Sequence, residues 1–311
     1  MIRRMKTAAG TWRETALWAT NGHQSPFDRR LGPLYAMIGI AIVFLAIVVA
    51  TGTFSYVPEP LDSIAIFLGM VASIGYAARW LGVTLIAEIA ESLALFCALA
   101  VLAPLCAAVL ASTDLPLVDG FLMRLDADLF FGFDRRQFVH FANQWPHVIA
   151  VMRFAYNSLT YQPFMLLVAL FVARRADRAW TFLGAWFLAA TITLVIFPFA
   201  PALSTPPYQM HWVLILEQIR SGALRSLATG ALTGIVAFPS FHAAAAVMLG
   251  WGFASFRWIG LPFIILNALM FVSAIFGGGH YLIDLIAGGA VALISLRIAK
   301  PMMQARPSAV G

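Results

Sequence analysis

The chain has 311 residues, of which 61% are hydrophobic and only 11% are charged. Soluble domains carry about 25% charged residues, so this composition excludes a protein surrounded by water and points to one immersed in lipid. The net charge of +6 is spread over short polar stretches between apolar runs, which fits membrane topology and argues against nucleic acid as a partner.

In chain order, residues 1–32 form a polar, basic segment. The first apolar run begins near Pro33, too late and wrongly flanked for a cleaved signal peptide, and reads as a retained anchor. Apolar runs predict membrane helices at 33–54, 62–78, 82–111, 148–172, 179–200, 239–256, 259–276 and 281–299. The run at 62–78 is short for a full span. The run at 82–111 is long and holds Pro104, so a tilt or kink is expected. It also holds Cys97 and Cys106, which lack any zinc-binding spacing and read as small buried hydrophobes. The fold class is therefore all-α: a multi-pass transmembrane helical bundle of about eight spans.

Two connecting segments are long. Residues 112–147 mix Leu, Phe and Trp with Asp114, Asp119, Asp126, Asp128 and Asp134, a pattern expected of a helix lying in the membrane interface. Residues 201–238 begin with Pro201, Pro206 and Pro207 and hold a candidate short helix near 212–227.

Basic residues orient the bundle. Of the 20 Lys and Arg residues, Arg124, Arg135, Arg136, Arg220 and Arg225 fall in segments on one side. Arg153 falls within a helix, and the other 14 lie on the opposite side. Positive residues accumulate on the cytoplasmic side. Both termini are thus expected in the cytoplasm, in a multi-pass protein of the cytoplasmic membrane.

Two motifs carry chemistry. Phe238-Pro239-Ser240-Phe241-His242 opens an Ala-rich helix. Proline fits a first helical turn, and the free N–H groups there attract anions. Ser240 adds a hydroxyl, and His242 sits beside any bound phosphate. The bland reading is a helix cap with an incidental histidine. The second motif is Gly277-Gly278-Gly279-His280-Tyr281-Leu282-Ile283-Asp284. His280 and Asp284 are four apart and share a helix face. A carboxylate can hold one ring nitrogen and leave the other nucleophilic. Asp284 lies in an apolar helix, where an ionisable group is costly and usually functional. The bland alternative is a packing hydrogen bond. Both motifs begin helices on the same, extracytoplasmic face, so His242 and His280 are expected to meet at a membrane–water boundary.

In these residues the chain resembles the type-2 phosphatidic acid phosphatase superfamily. Pro239-Ser240-Phe241-His242 resembles its Pro-Ser-x-His motif, and Gly279-His280-Tyr281-Leu282-Ile283-Asp284 its Gly-His-x-x-x-Asp motif. The resemblance covers 148–299 and extends toward 82, giving a six-helix catalytic domain at 82–299. Accessory helices at 33–81 precede it, and a cytoplasmic tail at 300–311 follows. The resemblance implies that His280 attacks phosphorus to form a phosphohistidine and that Asp284 orients it. It implies that His242 protonates the leaving oxygen and then activates water or an acceptor alcohol. Ser240 and the backbone around Phe241 and Gly279 would hold the phosphoryl oxygens. It implies a lipid substrate drawn from the bilayer, and no metal or cofactor.

The chain departs from the phosphatases where they carry cations. Their Lys-x6-Arg-Pro motif is replaced by Phe197-Pro198-Phe199-Ala200-Pro201-Ala202, and the arginine six residues before the nucleophile by Ala274. These absences resemble the inositol phosphorylceramide synthase and sphingomyelin synthase branches, which move phospho-headgroups between lipids. A phosphodiester carries less charge than a monoester and needs fewer cations. That leans the expectation to inositolphosphotransferase-like transfer, with a lipid phosphate or isoprenyl (di)phosphate phosphatase as the alternative. Arg153 is the candidate replacement cation. With Tyr156, Asn157, Thr160 and Tyr161 it forms a polar stripe expected to face the bundle interior. The alternative is a structural pairing of Arg153 with Glu88 or Glu91. A transporter using these charges would need a polar path across the bilayer, whereas the polar residues gather at one end.

Overall fold

The structure is a computed structural model describing residues 28–203, 210–227 and 235–304, with the side chains of 29 and 210–213 left undescribed. The basic segment before residue 28, the tail beyond 304 and the Pro206-Pro207 pair lie outside the described residues.

Helix α1 (Gly32–Ala50) carries Pro33 in its first turn, where a missing N–H costs nothing. It leads to α2 (Pro58–Trp80) and α3 (Thr84–Leu110). The short run at 62–78 thus becomes a helix of 23 residues. Both α1 and α2 pack along α3. Arg79 of α2 pairs with Glu91 of α3, and the hydroxyl of Tyr35 in α1 donates to the same carboxylate. One carboxylate therefore ties three helices together.

Residues 112–147 hold two helices where one was expected: α4 (Asp119–Leu129) and α5 (Arg135–Ala142). Phe131 and Gly132, at φ 57° and 80°, stop the first. Asp134 starts the second by accepting the Arg136 N–H at 2.8 Å.

The run at 148–172 is broken into α6 (Pro146–Asn157) and α7 (Gln162–Val172), bent by 56°. A buried polar chain holds the break. Gln162 Nε2 donates to Ser158 Oγ at 2.6 Å, and Gln162 Oε1 accepts from Asn267 Nδ2 at 2.7 Å. In an apolar surrounding such groups must satisfy one another.

Helices α8 (Ala176–Ile196), α9 (Met210–Arg220), α10 (Phe241–Phe253), α11 (Arg257–Gly277) and α12 (Leu282–Met303) complete the chain. By length and hydropathy, six described stretches are able to cross a membrane, or seven if α6 and α7 form one bent span. The expectation of about eight counted α10 and α11 separately. They lie in a single apolar stretch of 37 residues that turns at Arg257, φ 49°, and packs on itself. Gly260 makes the turn possible: a Cβ there would stand 2.0 Å from the Phe253 carbonyl oxygen. With 13 residues, α10 rises only about 20 Å, short of a hydrocarbon core of about 30 Å.

Helices gain little hydrophobic drive from one another in lipid, so close approach matters more. Glycines supply it. Gly184 of α8 lets in Met303 of α12, and Gly252 of α10 lets in Leu166 of α7. Trp180, Phe182, Leu183 and Phe187 of α8 are fully buried in the largest core cluster. A two-residue parallel bridge, Ser55–Tyr56 (β1) with Ser226–Leu227 (β2), ties the α1–α2 connection to the segment after α9. The sequence carried no signal for it.

Candidate functional site

Helices α10 and α12 start side by side. The Ser240 N–H donates to the Asp284 carbonyl at 3.1 Å. Gly288, one turn beyond Asp284 in α12, lies under Ser240, where a Cβ would stand 2.1 Å from the Ser240 carbonyl oxygen. The two motifs therefore meet at one end of the bundle. That contact depends on a residue without a side chain.

Ser240 is the N-cap of α10. Its Oγ accepts the Ala243 N–H at 3.3 Å and its carbonyl accepts the Ala244 N–H at 3.1 Å. The first-turn amides of Phe241 and His242 precede any intrahelical acceptor. They form the N-terminal end of a buried helix, a natural place for an anion.

Across from it, the turn at 277–280 presents His280, which is 4% exposed. The Ala274 carbonyl accepts from both Gly278 and His280, at 3.0 and 3.2 Å. Gly279 between them has φ +69°, a conformation that suits glycine. Its N–H bonds no acceptor among the described residues. Gly278 underlies the imidazole: a Cβ there would stand 2.4 Å from His280 Cδ2 and 2.7 Å from Nε2. His280 Nδ1 lies 3.4 Å from Asp284 Oδ2, and that oxygen also accepts the Tyr281 N–H at 2.9 Å. Asp284 Oδ1 is buried with no partner among the described residues. The geometry engages Nδ1 and puts Nε2 at the ring's other side, suited to attack on an electrophile.

His242 is held by an aromatic neighbour. Tyr156 of α6 stacks on its ring at 4.0 Å between centroids and 10° between planes. The Ser240–Asp284 bond puts His242 and His280 at the same junction of α10 and α12. The spacing of the motifs gave no sign of the Tyr156 stack; the stripe in α6 was its only trace.

Three further residues support the site and were not singled out from sequence. Asp126 of α4, 2% exposed, accepts the Leu282 and Ile283 N–H groups at 2.8 and 2.9 Å. It thereby caps the helix that follows His280. Burial raises its carboxyl above the ordinary range, against the lowering effect of those two bonds. Asp119 accepts the Tyr281 hydroxyl at 3.2 Å and the Leu203 N–H at 3.0 Å. Arg135 of α5, 5% exposed, donates to the Ile275 carbonyl at 3.1 Å, just before the glycine turn.

The stripe in α6 does not face the interior as expected. Arg153, Asn157, Thr160 and Tyr161 are exposed, and Tyr156 is the one that turns inward. A residue four positions on returns about 40° off the first, and the bend at Ser158–Thr160 swings the last two away. The pairing of Arg153 with Glu91 is also overturned, since Glu91 is taken by Arg79 and Tyr35. Among the described residues Arg153 makes no hydrogen bond or ion pair.

Residues 120–298 match the PAP2 superfamily. The chain belongs to that superfamily. The match spans α4 to α12 and contains both motifs, and it leaves α1 to α3 outside. No curated protein and no solved structure matches the chain. PAP2 membership, with several helices apolar enough to cross a membrane, supports a membrane-bound lipid phosphoesterase of the phosphatase type. At the positions where the expected cations are missing, the residues are apolar, and all but Phe199 are buried or half-buried. Phe197 and Ala274 are fully buried, and Pro201 lends its carbonyl to the Val118 N–H.

Proposed function

We propose that this PAP2 protein transfers the phosphoryl headgroup of a membrane lipid through a phosphohistidine at His280. The observation that supports it best is the engaged Nδ1 of His280, 3.4 Å from Asp284 Oδ2, beside the open amide of Gly279. In the first step His280 Nε2 forms a bond to phosphorus as the bond to the lipid oxygen breaks, and His242 gives that oxygen its proton. In the second, an incoming hydroxyl gives its proton to His242, bonds to phosphorus and releases His280. Asp284 stabilises the imidazolium that forms. The Ser240 hydroxyl and the amides at Phe241 and Gly279 receive the phosphoryl oxygens.

The missing cations favour a substrate with one phosphoryl charge. We read the acceptor as a lipid or polyol alcohol, as in the inositolphosphotransferase-like branch, and Arg153, exposed one turn before Tyr156 on α6, as a cation for the headgroup phosphate. Hydrolysis of a lipid phosphate or isoprenyl diphosphate is the second reading, favoured by the same two-step chemistry with water in place of the alcohol. The basic-residue bias supports a site on the extracytoplasmic side of the cytoplasmic membrane.

The test is a panel of lipid phosphoesters with purified protein in detergent, with and without inositol or diacylglycerol. A new phospholipid formed without free phosphate supports transfer, and free phosphate supports hydrolysis. Full turnover by His280→Ala would sink both.

A further inference from the structure

We infer that Tyr156 is a positioning residue that sets the plane and distance of His242 relative to His280; this rests on the two-histidine reading above. Tyr156 stands three helical turns into α6, outside both motifs. Its ring lies parallel to the His242 imidazole, 4.0 Å between centroids and 10° between planes. The same ring lies on the backbone of Gly277, where a Cβ would come within 2.6 Å of Tyr156 Cγ. Gly277 opens the turn that ends at His280. One aromatic ring therefore touches the general acid–base residue and the turn that carries the nucleophile.

Parallel contact over a ring face blocks rotation of the imidazole about its Cβ–Cγ bond, which an aliphatic side chain of equal volume does far less well. A histidine that serves twice, first giving a proton and then taking one, needs its nitrogen held on one line through both steps. The glycine at 277 fits this role, because any side chain there would drive the tyrosine into His242. α6 packs along α11, so the ring is carried by a long helical contact.

The experiment compares Tyr156→Leu, Tyr156→Phe and wild type on the lipid phosphoester found to turn over, and on a p-nitrophenyl ester of the same phosphoryl group. Tyr156→Leu should lose about 10- to 100-fold in kcat with KM within about twofold, since alignment and not binding is removed. Tyr156→Phe keeps the ring and should recover to within about threefold of wild type. A nitrophenolate departs without a proton. On that ester Tyr156→Leu should still release about one equivalent per site in a burst and then turn over slowly.

Equal loss in the Leu and Phe variants would overturn the inference, as would a loss confined to KM. So would disappearance of the burst together with a lower melting midpoint, which marks a purely structural residue. If His280→Ala is as active as wild type on these esters, the phosphohistidine reading fails instead, whatever the Tyr156 variants do.

Discussion

Asp284 Oδ2 stands 3.4 Å from His280 Nδ1 while accepting the Tyr281 N–H at 2.9 Å. One carboxylate oxygen thus caps α12 and lies against the His280 ring. Asp284→Asn keeps an oxygen for the cap but loses the charge that stabilises an imidazolium. We expect kcat to fall by about 10²- to 10⁴-fold, with little change in melting midpoint. Steady-state assays and thermal melts of the purified variant check both.

Two glycines near the site should fail in different ways. Gly288→Ala would place a methyl carbon 2.1 Å from the Ser240 carbonyl oxygen and prise α10 from α12. Overpacking of this kind costs about 1–3 kcal/mol or more, so melting and activity fall together. The atoms nearest a methyl carbon in Gly278→Ala are two of the His280 ring and the Ala274 carbonyl oxygen. It should abolish turnover while the protein still folds. Gly39→Ala, with nothing within 4 Å of the added carbon, is the control: its midpoint should hold or rise slightly.

Asp126 gives a pH signature. Its folded carboxyl is raised above 3.8, the ordinary value, by burial. The folded protein then binds this proton more readily than the unfolded chain, so the stability due to this group falls as pH rises through that window. Above the raised value the contribution is constant. Asp126→Asn lacks the slope. Melting midpoints from pH 4 to 7 should show the wild type losing ground relative to the variant as pH rises within the window. At neutral pH the variant should also be less active, because an amide donor faces one of the two α12 N–H groups.

Arg153 lies one turn before Tyr156 on α6 and is exposed. If it meets a headgroup phosphate, Arg153→Ala should raise KM by about tenfold, the worth of one charge-assisted hydrogen bond, and leave kcat nearly as it was. Arg153→Lys should recover part of that loss. An unchanged KM in Arg153→Ala would remove it from the site.

The site was legible wherever its geometry is local. Pro239-Ser240 ahead of a helix follows from capping, and His280 and Asp284 do meet, but not on a shared helix face: His280 lies in the turn before α12, and Asp284 reaches it from the helix cap. Contacts made across the chain were not legible. Asp126 reaches Leu282, and Tyr156 reaches His242, over separations that no spacing rule covers. Asp126 looked like one of several acids in an interfacial segment. The stripe in α6 misled because four of its residues are exposed and the helix breaks at Ser158. The all-α fold was readable from composition, but the turn at Arg257 within one apolar stretch was not, since it rests on Gly260 seating against the Phe253 carbonyl.

The central claim is the covalent intermediate on His280. Acid-labile, base-stable phosphorylation can be sought by quenching the enzyme in alkali during turnover of a headgroup-labelled lipid and mapping the label by peptide mass spectrometry. The account predicts a phosphoryl group on the peptide carrying His280 and none in His280→Ala; on the p-nitrophenyl ester, whose leaving group needs no proton, the label should accumulate in His242→Ala. Label on another residue, or turnover by wild type with no covalent label at any quench time, would contradict it.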